Sequence, residues 1–322
     1  MMKVALIGIG GMGGVHFNCY KNIKNAEVVA VCDVRTEMAE EKVNDKKVHI
    51  YSDMDELLAN EQVDMVDICT PSYMHREMSI KALERGINVL CEKPMSLNTA
   101  DTAAIMEAAE KSGKTFMVAH VLRFESPYVV LKQVIDSEKF GKLLRLDMKR
   151  ISEVPRWSWE NWMRDVKKSG GTPIDLAIHD IDFVRWQFGE PKDVSGFYHK
   201  LKNDNDFMAA EFVYDDFAVS TEAGWYEYPL PFAASYKAIF ERGMLEYVND
   251  KIYENGKELQ LNTEETQADT GINISNVDGY SQEIEYYIGC IEKGEKPCRV
   301  TPESSHESVK LIERFLNNAS II

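Results

Sequence analysis

The chain has 322 residues, 44% of them apolar and 28% charged, and carries a formal net charge of −16 at pH 7. That length exceeds what one hydrophobic core usually serves, so two domains are expected. The acidic balance disfavours nucleic acid or an anionic membrane as a partner, since both select cationic surface, and no apolar run approaches the ~18 residues of a membrane span.

KVALIGIG, starting at Lys3, is a continuous apolar run, the pattern of a parallel strand buried on both faces. It enters Gly8-Ile-Gly10-Gly11-Met12-Gly13-Gly14, so Gly8, Gly10 and Gly13 satisfy G-x-G-x-x-G. A helix-compatible segment and a second apolar strand, AEVVAVCD, follow and end in Asp33. Gly8 permits a tight exit from the strand, Gly10 clears room for a pyrophosphate, and Gly13 lets the helix lie close to the sheet. Gly11 and Met12 then open a helix whose free N–H groups and dipole attract phosphate. Asp33 stands where a carboxylate accepts both ribose hydroxyls and repels a 2′-phosphate, which favours NAD over NADP, while Arg35 softens that preference.

Val48–Ser52 reads as a short strand, and Asp53–Asn60 as a helix that Asp53 caps. Val63–Pro71 is a buried strand ending at Thr70-Pro71, where proline stops regular pairing. Met74–Arg85 is a helix closed by Gly86, Ile87–Pro94 a strand, Ser96–Ser112 a helix closed by Gly113, and Thr115–Phe124 the last strand of this half. Alternating strands and helices predict a doubly wound parallel sheet over residues 1–121. Pro127–Ser137 is then a helix and Gly141–Ser152 a strand. Closely spaced strands follow at Val194–Leu201, Asp206–Tyr214, Phe217–Trp225, Ser235–Glu241 and Met244–Val248, which predict a mostly antiparallel open sheet. With the helices Tyr280–Lys293 and Thr301–Asn318 this makes a second, α+β domain over 122–322. The polar stretch Leu261–Asn276 reads as a mobile loop.

Six dispersed cysteines (Cys19, Cys32, Cys69, Cys91, Cys290, Cys298) form no CxxC pair and read as reduced thiols of a cytoplasmic protein. No signal peptide is expected, because Gly8 interrupts the first apolar run.

Ligands of open parallel sheets bind outside the carboxyl ends of the strands. Three strands place polar groups there: Thr70-Pro71 with His75, Glu92-Lys93-Pro94, and His120 with Arg123. Lys93 is suited to hydrogen-bond a substrate oxygen and favour its anion. A second constellation is Gly170-Gly171-Thr172-Pro173-Ile174-Asp175…His179-Asp180-Ile181-Asp182. Read as one helix, it puts Asp175 and His179 on one face, where the carboxylate orients the imidazole as an acid–base group. Asp182 is a further candidate on that face, against a cap or salt bridge. Val154–Asp165 sets Trp157, Trp159 and Trp162 between two arginines just before this helix, as a pocket wall or as core; Trp225 and Tyr226 are weaker candidates. No metal is implied, because the pair lacks further ligands at suitable spacing.

These motifs together resemble the glucose–fructose oxidoreductase/inositol dehydrogenase/MocA family over nearly the whole chain. The resemblance implies a Rossmann domain binding NAD, followed by an α/β domain whose open sheet forms the interface of a homodimer or homotetramer. It implies oxidation of a sugar, polyol or cyclitol hydroxyl, with Lys93, Asp175 and His179 as the catalytic group. Thr70, Pro71, His75 and Glu92 join Gly8, Gly10, Gly11, Met12, Gly13, Asp33, Arg35 and Lys93 at the cofactor, and Arg123, Trp157 and Trp162 stand near the substrate. Many members have a third glycine where this chain has Thr172. An NAD-dependent glycosidase of the same fold and a non-catalytic sensor are the competing readings.

Overall fold

Six apolar runs become the strands of one parallel sheet in the computed structural model, which describes residues 1–202, 205–259 and 277–322. In chain order the elements begin with β1 (Met2–Ile7), α1 (Gly11–Tyr20), β2 (Ala26–Cys32), α2 (Thr36–Val43), β3 (His49–Tyr51) and α3 (Met54–Asn60). Next come β4 (Met65–Ile68), α4 (His75–Glu84), β5 (Asn88–Glu92), α5 (Thr99–Ser112), β6 (Phe116–Ala119), α6 (Ser126–Asp136) and β7 (Leu143–Glu153). They are followed by α7 (Val166–Ser169), α8 (Gly171–Asp175), α9 (Ile178–Phe188), β8 (Asp193–Lys202), β9 (Asn205–Val213), β10 (Ala218–Tyr226) and β11 (Ala233–Phe240). The last are β12 (Gly243–Val248), β13 (Lys251–Glu254), β14 (Lys257–Leu259), α10 (Val277–Lys293), α11 (Pro302–Asn318) and β15 (Ser320–Ile321). The stretch Leu261–Asn276, expected as a mobile loop, lies outside the described residues.

The first compact unit holds Met1–Ser96, Ala100–Val121 and the described residues 277–306. Its sheet runs β3-β2-β1-β4-β5-β6, parallel throughout. The central strands read as unbroken apolar runs because both faces are covered: Leu6, Val66 and Leu90 are fully buried. Local signals act as expected. Asp53 Oδ1 accepts the Glu56 N–H at 3.0 Å and caps α3. The sixth strand, expected to run to Phe124, stops at Ala119, where its ladder with Glu92 ends. His120 N–H turns back to the Val118 carbonyl at 2.9 Å, and Val121–Arg123 wind into a 3₁₀ turn.

Helix α10, placed in the second domain by a reading in sequence order, packs on α1, β5 and β6 of this first unit. Tyr287, fully buried, donates its hydroxyl to the Thr115 carbonyl at 2.7 Å, and Asn25 binds Glu292 at 2.9 Å. Helix α1 is therefore covered by the sheet on one side and by α10 on the other. This explains why Val15, His16, Phe17, Cys19 and Tyr20 are all buried and α1 has no polar face.

The second unit holds Leu97–Thr99, the described residues of 122–259, and Glu307–Ile322. Its nine-stranded sheet has the order β14-β13-β12-β11-β7-β10-β9-β8-β15. Only β7 with β10 and β15 with β8 pair in parallel. Strands β13, β14 and β15 were not expected; they have 4, 3 and 2 residues, and too little alternation to register as strands. Tyr128 of α6 meets Phe183 of α9 and Tyr236 and Tyr247 of the sheet edge-on, with ring centroids 5.6, 5.6 and 6.1 Å apart.

Two buried ion pairs fix α9. Arg150 of β7 reaches Asp180 at 2.9 Å and the Tyr128 hydroxyl at 3.0 Å. Arg123 grips Asp182 with two parallel bonds of 2.8 and 2.7 Å, and the Ser308 hydroxyl adds a third at 2.9 Å. Arg123 and Asp182 are each 1% exposed. Arg123→Met should therefore lower stability by about 3–5 kcal/mol, because it leaves a buried carboxylate without its cation. Arg123→Met/Asp182→Leu should recover most of that loss in urea denaturation. A double variant as unstable as the single one would show that shape, and not charge, dominates there.

Candidate functional site

At the end of β1 the chain must turn and then run back as a helix within contact distance of the same strand. Gly8 has φ +86°, and a Cβ there would sit 2.8 Å from the Cys69 carbonyl oxygen. A Cβ on Gly13 would fall 1.9 Å from the Gly8 carbonyl oxygen, so only glycine closes the helix onto the strand. Gly10 is different: its Cβ would meet only Arg35 Nη2, at 3.7 Å. The space above Gly10 is open, and no side chain caps α1. The first backbone bond of the helix runs from Gly14 N–H to the Gly10 carbonyl, at 3.2 Å, leaving the amides of Gly11, Met12 and Gly13 directed out of its N-terminus. This chain thus fits a dinucleotide pyrophosphate, with the open cradle at Gly10 and the helix end beside it.

Asp33, 7% exposed, follows β2 as expected. Its carboxylate is already engaged. Oδ2 accepts the Ile9 N–H at 3.0 Å and Arg35 Nη2 at 3.2 Å, and Oδ1 accepts the Arg35 N–H and Nε at 3.0 and 3.1 Å. Arg35 is thus the partner that a ribose hydroxyl would displace. Beside it, Lys42 of α2 donates from Nζ to the carbonyls of Ile9 and Gly10 at 3.0 and 2.9 Å. Burial and then the nearby Arg35 charge push its ammonium below the usual lysine range.

Thr70 and Pro71 follow β4 as expected, with Thr70 Cγ2 3.2 Å from where a Gly8 Cβ would lie. His75 and Glu92 turn inward. His75 is 1% exposed and its ring spans the carbonyls of Pro94 (Nδ1, 2.7 Å) and Thr70 (Nε2, 2.9 Å). It braces the two loops at the sheet edge. Burial lowers its pKa, partly offset by those carbonyls. Glu92 is 5% exposed and points at His16 of α1, 3.1 Å away, while its other oxygen accepts the Lys93 N–H at 2.9 Å. Lys93 itself is half-buried at the end of β5.

In the second unit the expected single helix is two. Asp175 closes α8 and His179 lies in the first turn of α9, with Leu176 and Ala177 between them. Both amides, Leu176 and Ala177, bond to the Thr172 carbonyl, at 3.1 and 2.7 Å, so the helical ladder slips by one residue. The four-residue spacing therefore spans a break and does not place the pair by helix geometry alone. Thr172, where a third glycine stands in the family pattern, is fully buried and binds Asp206 Oδ1 through its hydroxyl (2.6 Å) and its amide (3.1 Å). His179 is half-buried, Asp175 is 5% exposed, and Asp180 and Asp182 are the acids anchored by Arg150 and Arg123. Arg123, expected near substrate, has its guanidinium committed to that buried anchor. Trp157 is 64% exposed and Trp162 half-buried.

Sequence reasoning missed Lys42, His16 and Asp67. Lys42 gave no signal, since a lysine on an amphipathic helix is ordinary. Asp67 did: an acid inside the apolar strand Met65–Ile68, buried throughout, demands a partner. His16, on a helix with no polar face, was that partner.

Residues 2–120 match the model of the oxidoreductase family with an NAD-binding Rossmann fold, and residues 128–246 match the C-terminal domain of the same GFO/IDH/MocA family. A myo-inositol 2-dehydrogenase of Thermotoga maritima is 30% identical over 194 residues, 59% of this chain and 55% of that protein. A 2,7-anhydro-N-acetylneuraminate hydratase of Mediterraneibacter gnavus is 31% identical over 192 residues, 59% of this chain and 50% of that one. The chain thus spans about half the length of the curated relatives it matches. A crystal structure of a myo-inositol dehydrogenase from Corynebacterium glutamicum superposes with a TM-score of 0.79 at 20% identity, covering 99% of this chain and 96% of that one. The Chromobacterium violaceum dehydrogenase WlbA, crystallised with NADH and UDP-GlcNAcA, gives 0.78 at 22%, covering 98% and 93%. With both domain models matched in order along one chain, the protein belongs to the Gfo/Idh/MocA oxidoreductase family.

Proposed function

We propose that this protein is an NAD-dependent dehydrogenase acting on a hydroxyl of a sugar, polyol or cyclitol. The observation that carries the reading is the dinucleotide cradle: open space at Gly10, the uncapped end of α1, and Asp33 at the end of β2. Inositol and sugar-phosphate dehydrogenases among the relatives support the substrate class. Bound NAD⁺ supplies the hydride acceptor. Lys93 donates a hydrogen bond to the reacting oxygen and stabilises the charge that develops there. His179 takes the hydroxyl proton, with Asp175 orienting its ring and raising its basicity. Assembly of copies through the nine-stranded sheet, and residence in the cytoplasm, belong to the same reading. A second reading, transient oxidation with the hydride returned, is favoured by the relative named a hydratase.

Absorbance at 340 nm with NAD⁺ and a panel of inositols, aldoses, sugar acids and sugar phosphates should show NADH forming with one of them. His179→Ala should then lower turnover by ~10²–10⁴-fold, the usual worth of a general base, with NADH affinity nearly unchanged. Silence across the panel in a chain that still binds NADH would favour the second reading. Arg35→Ala should release the Asp33 carboxylate to the ribose hydroxyls and remove the cation a 2′-phosphate would use. The preference for NADH over NADPH in fluorescence titration should rise by about tenfold, the worth of one charge-assisted contact. A preference that falls would reverse the roles given to these two side chains.

A further inference from the structure

Inside the first unit lies a charged cluster that this chemistry does not use. His16 is fully buried on α1, with Nδ1 2.9 Å from Asp67 Oδ2 and Nε2 3.1 Å from Glu92 Oε1. The Tyr20 hydroxyl donates to the same Asp67 oxygen at 2.9 Å, and the Cys69 thiol to the other at 3.5 Å. Glu92 Oε2 accepts the Lys93 N–H at 2.9 Å. A neutral imidazole has one N–H and one bare nitrogen. With a carboxylate at each nitrogen, the neutral ring would set a lone pair against a lone pair, whereas the imidazolium satisfies both. Apolar residues of the same volume would hold a core at lower cost than two buried carboxylates and a cation. The cluster is therefore better explained by what it holds in place.

We infer that His16, as an imidazolium clamped between Asp67 and Glu92, is a positioning residue: it fixes the carboxylate that holds the main chain at Lys93. Because His16 rides on the helix whose N-terminus meets the cofactor, the clamp also ties the placement of Lys93 to that of the glycine loop. The inference rests on the role proposed for Lys93.

The groups around the ring are Asp67 and Cys69 from β4 and its end, Glu92 from β5, Cys19 and Tyr20 from α1 itself, and Tyr280 from α10, whose Glu283 acts on Cys19. Burial pushes the thiols of Cys19 and Cys69 and the phenol of Tyr20 upward, so these stay neutral at pH 7. Burial, the largest single influence, opposes the charge on His16, but Asp67 and Cys69 together outweigh it and hold the ring well above 6.5. Glu92 is likewise pushed up by burial, then drawn below 4.5 by its bond to His16 and the charge there. The signs follow. The histidine contribution to stability is complete below pH 6.5 and declines as pH rises through the folded value. The glutamate contribution is complete above pH 4.5 and is lost as pH falls. The clamp is strongest between those limits.

Two measurements on the full chain test this. In ¹⁵N-histidine-labelled protein at about pH 7.5, where a free imidazole is neutral, both nitrogens of His16 should carry protons; His16→Gln assigns the signals. A ring with one bare nitrogen overturns the inference whatever the substrate is. In turnover assays with the compound that the wild type oxidises, His16→Gln should lower kcat by about 10- to 100-fold while NADH affinity stays within about threefold, as for a misplaced catalytic group. A folded variant with a lowered melting temperature and unchanged kcat would mean a purely structural role and overturn it. Should His16→Gln not fold, Glu92→Gln serves in its place. It keeps an oxygen for the Lys93 N–H but loses the ion pair with the ring, and should lower kcat by about 10- to 100-fold with NADH affinity nearly unchanged; an unchanged kcat in the folded variant overturns the inference. If the wild type turns over nothing, the dehydrogenase reading fails, and the nitrogen spectrum still decides the clamp.

Discussion

The contact of Gly13 with the carbonyl of Gly8 is the constraint on which the first unit depends. With no room for a Cβ between them, α1 lies hard against β1. That closeness directs the uncapped amides of the helix into the space above Gly10 and brings Tyr20 and His16 down onto Asp67. A side chain at this one position would move the phosphate end and the buried end of the helix together. The same rigidity makes a helix useful for linking a ligand loop to a strand end two strands away.

The second unit positions its candidate acid–base group by a different device. The break at Leu176 and Ala177 frees α9 from the direction of α8, and the ion pairs of Asp180 and Asp182 then set α9 against the sheet. His179 stands between the first of these anchors and the break. Asp206 holds the preceding turn through Thr172. The polar groups around this histidine thus act mainly as fasteners, each buried and each with its charge or hydrogen bond met, as low-dielectric surroundings require.

Much of this was legible in the chain. The glycine spacing, the acid closing the second strand and the alternation of apolar runs are local patterns, and they map directly onto β1, α1, β2 and the parallel order. Asp53 and its cap were readable for the same reason. What was not legible is long-range. Nothing near Arg123 announces Asp182, and nothing near Glu92 says that it faces His16. The helix from Gly170 was read as continuous because its apolar stripe is continuous; the slip at Thr172 depends on hydrogen-bond geometry that periodicity does not encode. The short strands after Val248 lack length, and sequence order is a poor guide to which core a late helix such as α10 completes.

That last feature bears on how the protein is made. The parallel sheet and α1 are synthesised early, yet the surface that α10 covers, including the Thr115 carbonyl that Tyr287 seals, has to wait for residues near the end of the chain. Throughout elongation the nascent first unit presents an apolar face over α1, β5 and β6, of the kind that chaperones hold and that aggregates without them. A product cut short before Val277 leaves the ribosome with its dinucleotide cradle formed in sequence but with one wall of its core missing.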